Sequence, residues 1–249
     1  MDIDLTNTII SNLIKLDVNE YNSDVITYDY KYFYNTSIYI IKISQIMDVT
    51  ISTLFSSLKI FRKLLRFNIP TDREPYKYII FILTCIIISI KIDEDDIKIN
   101  KRTIDNYLDI LQQNKVAYID ILLENPIYIK DIEKYERYIC TKLNYNLIVI
   151  TPVSFVDHYM NHVNINIDQY KDDICYILLL IEKSILVNNY TSSFKSASAI
   201  LYILWHISDS TILHTNLWDK TMEDITSYKF DDLKNFVKVI NELLLENSV

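Results

Sequence analysis

The chain has 249 residues, and none of them is glycine. Average usage of about 7% would place roughly seventeen glycines in a chain of this length. Walker loops, dinucleotide-binding fingerprints and nucleophile elbows all need glycine, either for a tight turn or for close approach of the backbone to a ligand. The sequence therefore argues against enzymes that depend on these loops, and the fold must use elements that do not require glycine.

The spacing of apolar residues predicts helices along most of the chain. Apolar side chains recur at helical intervals, turn signals are few, and no pair of segments has the pattern of a hairpin. Isoleucine and tyrosine are abundant, but β-propensity depends strongly on context, so their numbers alone do not indicate strands. Because 50% of the residues are hydrophobic, the chain can form a substantial core. The predicted fold class is all-α.

The predicted helices fall into two successive groups after an N-terminal extension. The extension, residues 1–35, contains an amphipathic segment at 3–16. In the first group, which we assign to a domain at 36–149, the helices are 37–47, 51–67, 74–91, 101–113 and 128–144. In the second, assigned to 150–249, they are 152–162, 168–187, 193–207, a short turn near 215–222, and 231–246. In both groups the third helix contains small residues and is predicted to be buried, which indicates an internal repeat.

Charge and cysteine content indicate the cellular environment of the protein and argue against some classes of binding partner. The net charge of −8 gives no electrostatic reason to bind nucleic acid or an anionic membrane. The apolar run at 78–90 is shorter than the roughly 20 residues that span a bilayer, so no membrane segment is predicted. Cys85, Cys140 and Cys175 lie in apolar patterns without metal-ligand spacing and are predicted to be reduced. The N-terminus lacks the pattern of a signal peptide, and we expect an intracellular protein, nuclear or cytoplasmic or both.

Two charged residues lie in otherwise apolar helical patterns. Glu136 falls within a stripe that includes Ile132 and Ile139, where an unpaired buried carboxylate would cost several kcal/mol. Lys91 ends the apolar run of another helix, at a position that also suits the helix dipole. One interpretation is that Lys91 extends into solvent and Glu136 leans outward. The other is that the two groups meet at a surface groove and bind the backbone of a partner protein.

The remaining polar clusters give weaker signals. The acidic run at 93–96 lacks the ligand alternation of a calcium loop and is interpreted as a solvated connection. His158 and His162 are one helical turn apart but lack an evident third ligand, so no metal site is predicted. No catalytic triad can be assembled, no cofactor is implied, and we expect a protein that is not an enzyme. One helix carries a basic face that is either solvated or a partner patch, formed by Lys59, Arg62, Lys63 and Arg66.

Three segments together resemble the cyclin family. The first is the apolar run at 83–91, which ends in lysine and acidic residues; the second, 136–160, contains Thr151-Pro152 followed by Phe155, which is similar to the D-type pattern. The third, 180–202, has a glutamate followed by a serine and a run of small residues. The resemblance implies two tandem five-helix cyclin boxes, which form a noncatalytic subunit that binds and activates a cyclin-dependent-type kinase. It also implies that Lys91 and Glu136 are the residues that hydrogen-bond kinase backbone near its αC helix.

The chain also departs from the cyclin pattern. An arginine–aspartate pair usual in the first box falls on Thr36 and Leu65, and the tryptophan of a substrate-docking patch falls on Lys42. An insertion is expected at 114–125. Two alternatives stay open, namely a cyclin-fold transcription adaptor similar to the repeats of general transcription factor IIB, and an unrelated all-α interaction protein encoded by a virus.

Overall fold

The computed structural model describes residues 3–23, 30–67, 69–70, 74–94, 101–113, 128–184, 190–208 and 218–247. Regular structure in these ranges is entirely helical, which confirms the all-α prediction. The helices are α1 (Ile3–Ser23), α2 (Tyr30–Ile46), α3 (Ile51–Leu64), α4 (Pro75–Asp93), α5 (Lys101–Gln113), α6 (Ile129–Lys142), α7 (Val153–Met160), α8 (Lys171–Lys183), α9 (Ser192–Ile207), α10 (Lys220–Thr226) and α11 (Phe230–Glu246). A single 3-10 turn, Asp168–Tyr170, precedes α8.

The chain divides into two compact units. One, here called the N-terminal unit, is Ile26–Val149. The other, the C-terminal unit, combines Ile150–Val249 with Met1–Val25. The N-terminal segment is therefore grouped with residues 150–249. The division into boxes at 36–149 and 150–249 stays a prediction.

Helix α4 is the centre of the N-terminal unit. It packs against α2, α3 and α6, and its side chains from Tyr78 to Ile90 are all buried. Phe81 makes edge-on contacts with Phe61 of α3 and with Tyr135 of α6, at ring distances of 6.2 and 5.6 Å. These contacts link three helices through one aromatic side chain, since aromatic pairs favour edge-to-face packing at such distances.

The length of α4 corrects one argument made from the sequence. The helix has 19 residues and a mean hydropathy of 1.8, so by length and composition alone it is able to cross a membrane. The apolar run at 78–90 is only the central part of this helix. Of this apolar stretch, 72% is buried inside the protein, as in the core helix of a soluble domain. The prediction of a buried helix therefore agrees with the structure, although the argument from length does not.

Helix α9 occupies the equivalent central place in the C-terminal unit. It packs against α7, α8 and α11, and Ala197 and Ala199 are completely buried within it. The Ser196 hydroxyl lies 2.5 Å from the carbonyl oxygen of Pro152, to which it donates a hydrogen bond. Small side chains permit this close approach. The third helix of each predicted group is thus the buried one, as the sequence indicates.

Two helix boundaries near the N-terminus differ from prediction. Helix α1 continues to Ser23 rather than ending at residue 16, and α2 begins at Tyr30 rather than at residue 37. In α2, Phe33 is 1% exposed and stacks on Phe61. Burial of this ring favours helix in a stretch whose polar, tyrosine-rich composition predicts none. The expected insertion at 114–125 lies outside the described residues.

Candidate functional site

Lys91 and Glu136 form an ion pair on the N-terminal unit. The Lys91 Nζ atom lies 2.6 Å from Glu136 Oε1. The side chains are 37% and 28% exposed, so the pair is open to solvent on one side and covered on the other. The interpretation in which each group points separately into water does not describe this arrangement. The two residues meet at the surface, as the alternative predicts.

Neighbouring apolar residues determine where the Glu136 carboxylate lies. On α6, Ile132 and Ile139 are 1% and 0% exposed and face α4. Glu136 lies between them at helical spacing, which keeps it beside α4 rather than on the outer surface. Lys91 occupies the last turn of α4, where an ammonium group also interacts favourably with the helix dipole. Packing of α4 against α6 therefore brings the two charges together.

The last turn of α4 is fastened to the start of α3. Glu94 Oε1 accepts hydrogen bonds from the Thr50 backbone N–H at 3.1 Å and from the Thr53 hydroxyl at 2.6 Å. Asp93 also hydrogen-bonds Ser56 of α3, and burial is the main reason that its pKa is raised. Asp93 is exposed, as the interpretation of this acidic run as a solvated connection predicts, whereas Glu94 is half-buried and hydrogen-bonded to Thr50 and Thr53. Glu94 therefore helps to position the turn that carries Lys91.

The pair retains unused hydrogen-bonding capacity. An ammonium group has three donors and a carboxylate has about four acceptor positions, of which the salt bridge uses one each. A partner that offers a carbonyl to Lys91 and an N–H to Glu136 can bind without separating the two charges. The arrangement suits an exposed peptide backbone because such a backbone offers both groups.

Cys140 lies close enough to the Lys91–Glu136 pair to interact with it electrostatically. The thiol is half-buried, one helical turn beyond Glu136. Burial raises the pKa of Cys140, the Glu136 carboxylate raises it further, and Lys91 opposes the rise. Cys85 and Cys175, the other two free cysteines, are buried. Cys140 is therefore a natural reporter on this surface.

The two histidines lie close together, and one of them is largely buried. His158 and His162 have ring centres 4.6 Å apart, and burial followed by the charge of His162 lowers the pKa of His158 to about 4. Within the described ranges, no three His, Cys, Asp or Glu side chains are grouped to hold a metal ion.

The basic face of α3 is partly covered by the protein. Lys63 is 8% exposed, and the Arg62 guanidinium covers the Phe33 ring. The α3 face is therefore only partly solvated.

A buried ion pair and a third buried charged residue are not predicted by the sequence analysis. Lys195 of α9 pairs with Glu182 of α8 at 2.7 Å, and their side chains are only 3% and 8% exposed. Asp17 of α1 is 1% exposed. Asp17 follows Ile10 and Ile14 at helical spacing, and this pattern of a carboxylate in an apolar stripe is the one that identified Glu136. The signal was present in the sequence.

The structure shows the surroundings of two positions at which the sequence departs from the cyclin pattern. Thr36 is completely buried, and its hydroxyl lies 2.5 Å from the Tyr78 hydroxyl on α4. A hydroxyl pair can join α2 to α4 without the cost of burying charges. Lys42, at the position of the expected docking tryptophan, is exposed.

Comparison with known proteins identifies one region of the chain. Residues 150–249 match the family model described as Cyclin, C-terminal domain. No curated protein matches the chain. The matched residues are the part of the C-terminal unit that contains α7 to α11. These residues are therefore similar to a cyclin C-terminal domain.

Proposed function

We propose that the chain is a noncatalytic regulatory subunit that binds and activates a cyclin-dependent-type protein kinase. Two independent lines support this proposal, namely the match of residues 150–249 to a cyclin C-terminal domain and the Lys91–Glu136 pair. The pair lies on the other unit, outside the matched residues. We further propose that residues 36–149 form the first cyclin box and that the protein acts inside the cell.

The mechanism is differential binding to one kinase conformation. An active kinase requires an ion pair between a strand lysine and a glutamate of its αC helix, so placement of αC acts as a switch. When αC is placed so that this ion pair forms, it is described here as seated. A partner that binds the kinase more tightly in this conformation shifts the kinase population toward the active state. Moving a kinase from about 1% to about 99% active requires about 5.5 kcal/mol of differential affinity. Two polar groups supply only part of this, and apolar contact must supply the rest.

The observation that carries the proposal is the geometry of the Lys91–Glu136 pair. The two head groups are 2.6 Å apart and partly exposed, at the positions that the cyclin resemblance assigns to contacts with kinase backbone. Because the charges already hold each other and α3 holds the end of α4, little side-chain freedom is lost on binding. Preorganisation of this kind favours affinity and fixes orientation.

Binding to a panel of purified cyclin-dependent-type kinases tests the assignment. We expect Lys91→Ala and Glu136→Ala each to weaken binding at least tenfold, since hydrogen bonds to charged groups contribute about 1.5–3 kcal/mol. The exchanged variant, Lys91→Glu with Glu136→Lys, keeps an ion pair but reverses its polarity. We expect it to bind the kinase no better than either alanine variant. Lys77→Ala is the matched control because Lys77 pairs with Glu74 at the opposite end of α4.

Cys140 provides a second measurement on the same protein. Its alkylation rate should fall when a kinase covers the pair, while buried Cys85 and Cys175 stay slow in both states. Binding that is unchanged in the double alanine variant and leaves Cys140 unprotected would remove the assigned site. If the wild-type protein binds no kinase in the panel, the kinase-regulator proposal fails.

The adaptor alternative predicts a different result. A protein similar to the repeats of general transcription factor IIB would bind DNA or transcription proteins, and DNA retention would weaken steeply with salt. The net charge of −8 disfavours the DNA form. An unrelated single helical bundle is disfavoured by the division of the chain into two compact helical units.

A further inference from the structure

Helix α1 is attached to the C-terminal unit by a small apolar surface. Among its side chains that the structure describes, Ile10 is buried at 7% exposure, while Leu13 and Ile14 are half-buried. Leu16 is 55% exposed. Beside the helix lies a cavity of about 300 Å³, lined in part by Ile10, Ile14 and His158. Hydrophobic burial by the described residues is therefore modest, and packing along this flank is incomplete.

The strongest observed contact of α1 is a buried carboxylate. Asp17 is 1% exposed, its Oδ1 atom accepts a hydrogen bond from the Ser192 N–H at 3.1 Å, and its Oδ2 atom accepts one from the Ser193 N–H at 2.7 Å. Both donors belong to the first turn of α9, where backbone N–H groups have no partner within the helix. The dipole of a 16-residue helix also favours an anion here. One carboxylate thus joins two helices that are far apart in sequence.

Three hydroxyl groups meet at the start of α9, next to the residues that bind Asp17. The Tyr228 hydroxyl lies 2.9 Å from Thr191 Oγ1 and 3.0 Å from Ser193 Oγ. Tyr159 is completely buried, and its hydroxyl makes no hydrogen bond among the described residues. Burial raises the pKa of Tyr159, and the Tyr228 and Asp17 charges raise it further. The start of α9 therefore carries a cluster of hydroxyl groups in addition to the backbone N–H groups that Asp17 binds.

We propose that the start of α9 is a recognition site for a carboxylate on an amphipathic helix, and that α1 occupies it as a releasable latch. The recognition pattern is the one α1 presents, with Ile10 and Ile14 against the unit and Asp17 on the backbone N–H groups of α9. This inference concerns the C-terminal unit alone and does not depend on kinase binding.

Hydrogen exchange on the full-length protein tests the latch. Asp17→Asn preserves the shape of the side chain but removes its charge. We expect exchange of α1 amides and of the first α9 amides to accelerate at least about tenfold, since a charge-assisted hydrogen bond contributes more than a neutral one. Amides in the centres of α4 and α9 should be unaffected. Asn12→Ala, an exposed position on the same helix, is the matched control and should change nothing.

A peptide added in trans tests recognition directly. A labelled peptide of residues 3–23 should bind full-length Asp17→Asn protein at least about tenfold more tightly than the same peptide carrying Asp17→Asn. Binding to the wild-type protein should be weaker because its own α1 fills the site. Equal binding of the two peptides, no binding of either, or unchanged α1 protection in the variant would overturn the proposal. Loss of protection throughout both units would also overturn it, because Asp17 would then be required for the whole fold.

Discussion

At the scale of single residues, a charge within an apolar stripe marks a place where a partner is needed. Glu136 meets Lys91 at 2.6 Å, and Glu182 meets Lys195 at 2.7 Å. The two pairs differ in burial, because the first is open to solvent and the second is almost completely covered. An exposed pair contributes about 0–1 kcal/mol to stability, whereas breaking a buried pair from one side leaves a costly charge. Although the two ion pairs have similar N–O distances, disrupting them is expected to have different effects on stability.

The first prediction concerns the buried pair. Lys195→Met should lower the free energy of unfolding by about 3–5 kcal/mol, because it leaves the Glu182 carboxylate buried without its cation. Adding Glu182→Leu should recover most of this loss. Urea unfolding measures both effects, and Lys220→Met, which disrupts an exposed pair with Asp224, is the control expected to leave the midpoint unchanged. A double variant no more stable than Lys195→Met would show that the pair is not the cause.

The second prediction concerns His158 and pH. Burial lowers its pKa from 6.5 to about 4, so the unfolded chain takes up a proton at a higher pH than the folded one. The stability gained from a neutral His158 is complete above about pH 6.5 and is lost as pH falls toward 4. Relative to His158→Gln, the wild type should lose about 1–3 kcal/mol across this interval after allowance for screening. Exposed His206→Gln should follow the wild-type curve, and parallel curves for all three proteins would contradict the assignment.

At the scale of elements, helix spacing is enough to predict which segments are helical and which of them are central. It predicts α4 and α9 as buried, because both have apolar or small residues on every face. It does not predict the start of α2, where burial of Phe33 against α3 overrides a polar local composition. Nor does it predict that Glu94 accepts hydrogen bonds from α3, because that contact joins residues 44 positions apart. Local patterns cannot specify such pairings.

The third prediction tests the contact between α4 and α3. Glu94→Ala removes the acceptor for the Thr50 N–H and the Thr53 hydroxyl, and among the described residues only the hydroxyl has a second partner, the Thr50 hydroxyl at 2.9 Å. We expect a loss of about 1–2 kcal/mol in the free energy of unfolding, comparable to loss of a helix cap. Thermal unfolding gives the value, with exposed Glu133→Ala on α6 as the control. Equal melting temperatures for the two variants would mean that Glu94 contributes nothing to this junction.

At the scale of the whole molecule, the sequence predicts two groups of helices but not the affiliation of α1. Asp17 and Ser192 are 175 positions apart, and nothing in either local pattern indicates the other. The site on the N-terminal unit was more accessible to prediction, since two misplaced charges and a family resemblance both pointed to Lys91 and Glu136. Their distance and partial exposure required the folded structure, because they depend on how α4 packs against α6.

The most direct measurement of the central claim is the activity of a cyclin-dependent-type kinase that binds this chain, assayed at saturating protein. If the chain seats αC, the wild type should raise the turnover of a kinase that is about 1% active alone by about a hundredfold. The Lys91→Ala, Glu136→Ala double variant should give much less activation at equal concentration, and Lys77→Ala should match the wild type. Tight binding of the wild-type chain with no rise in kinase turnover would contradict the account.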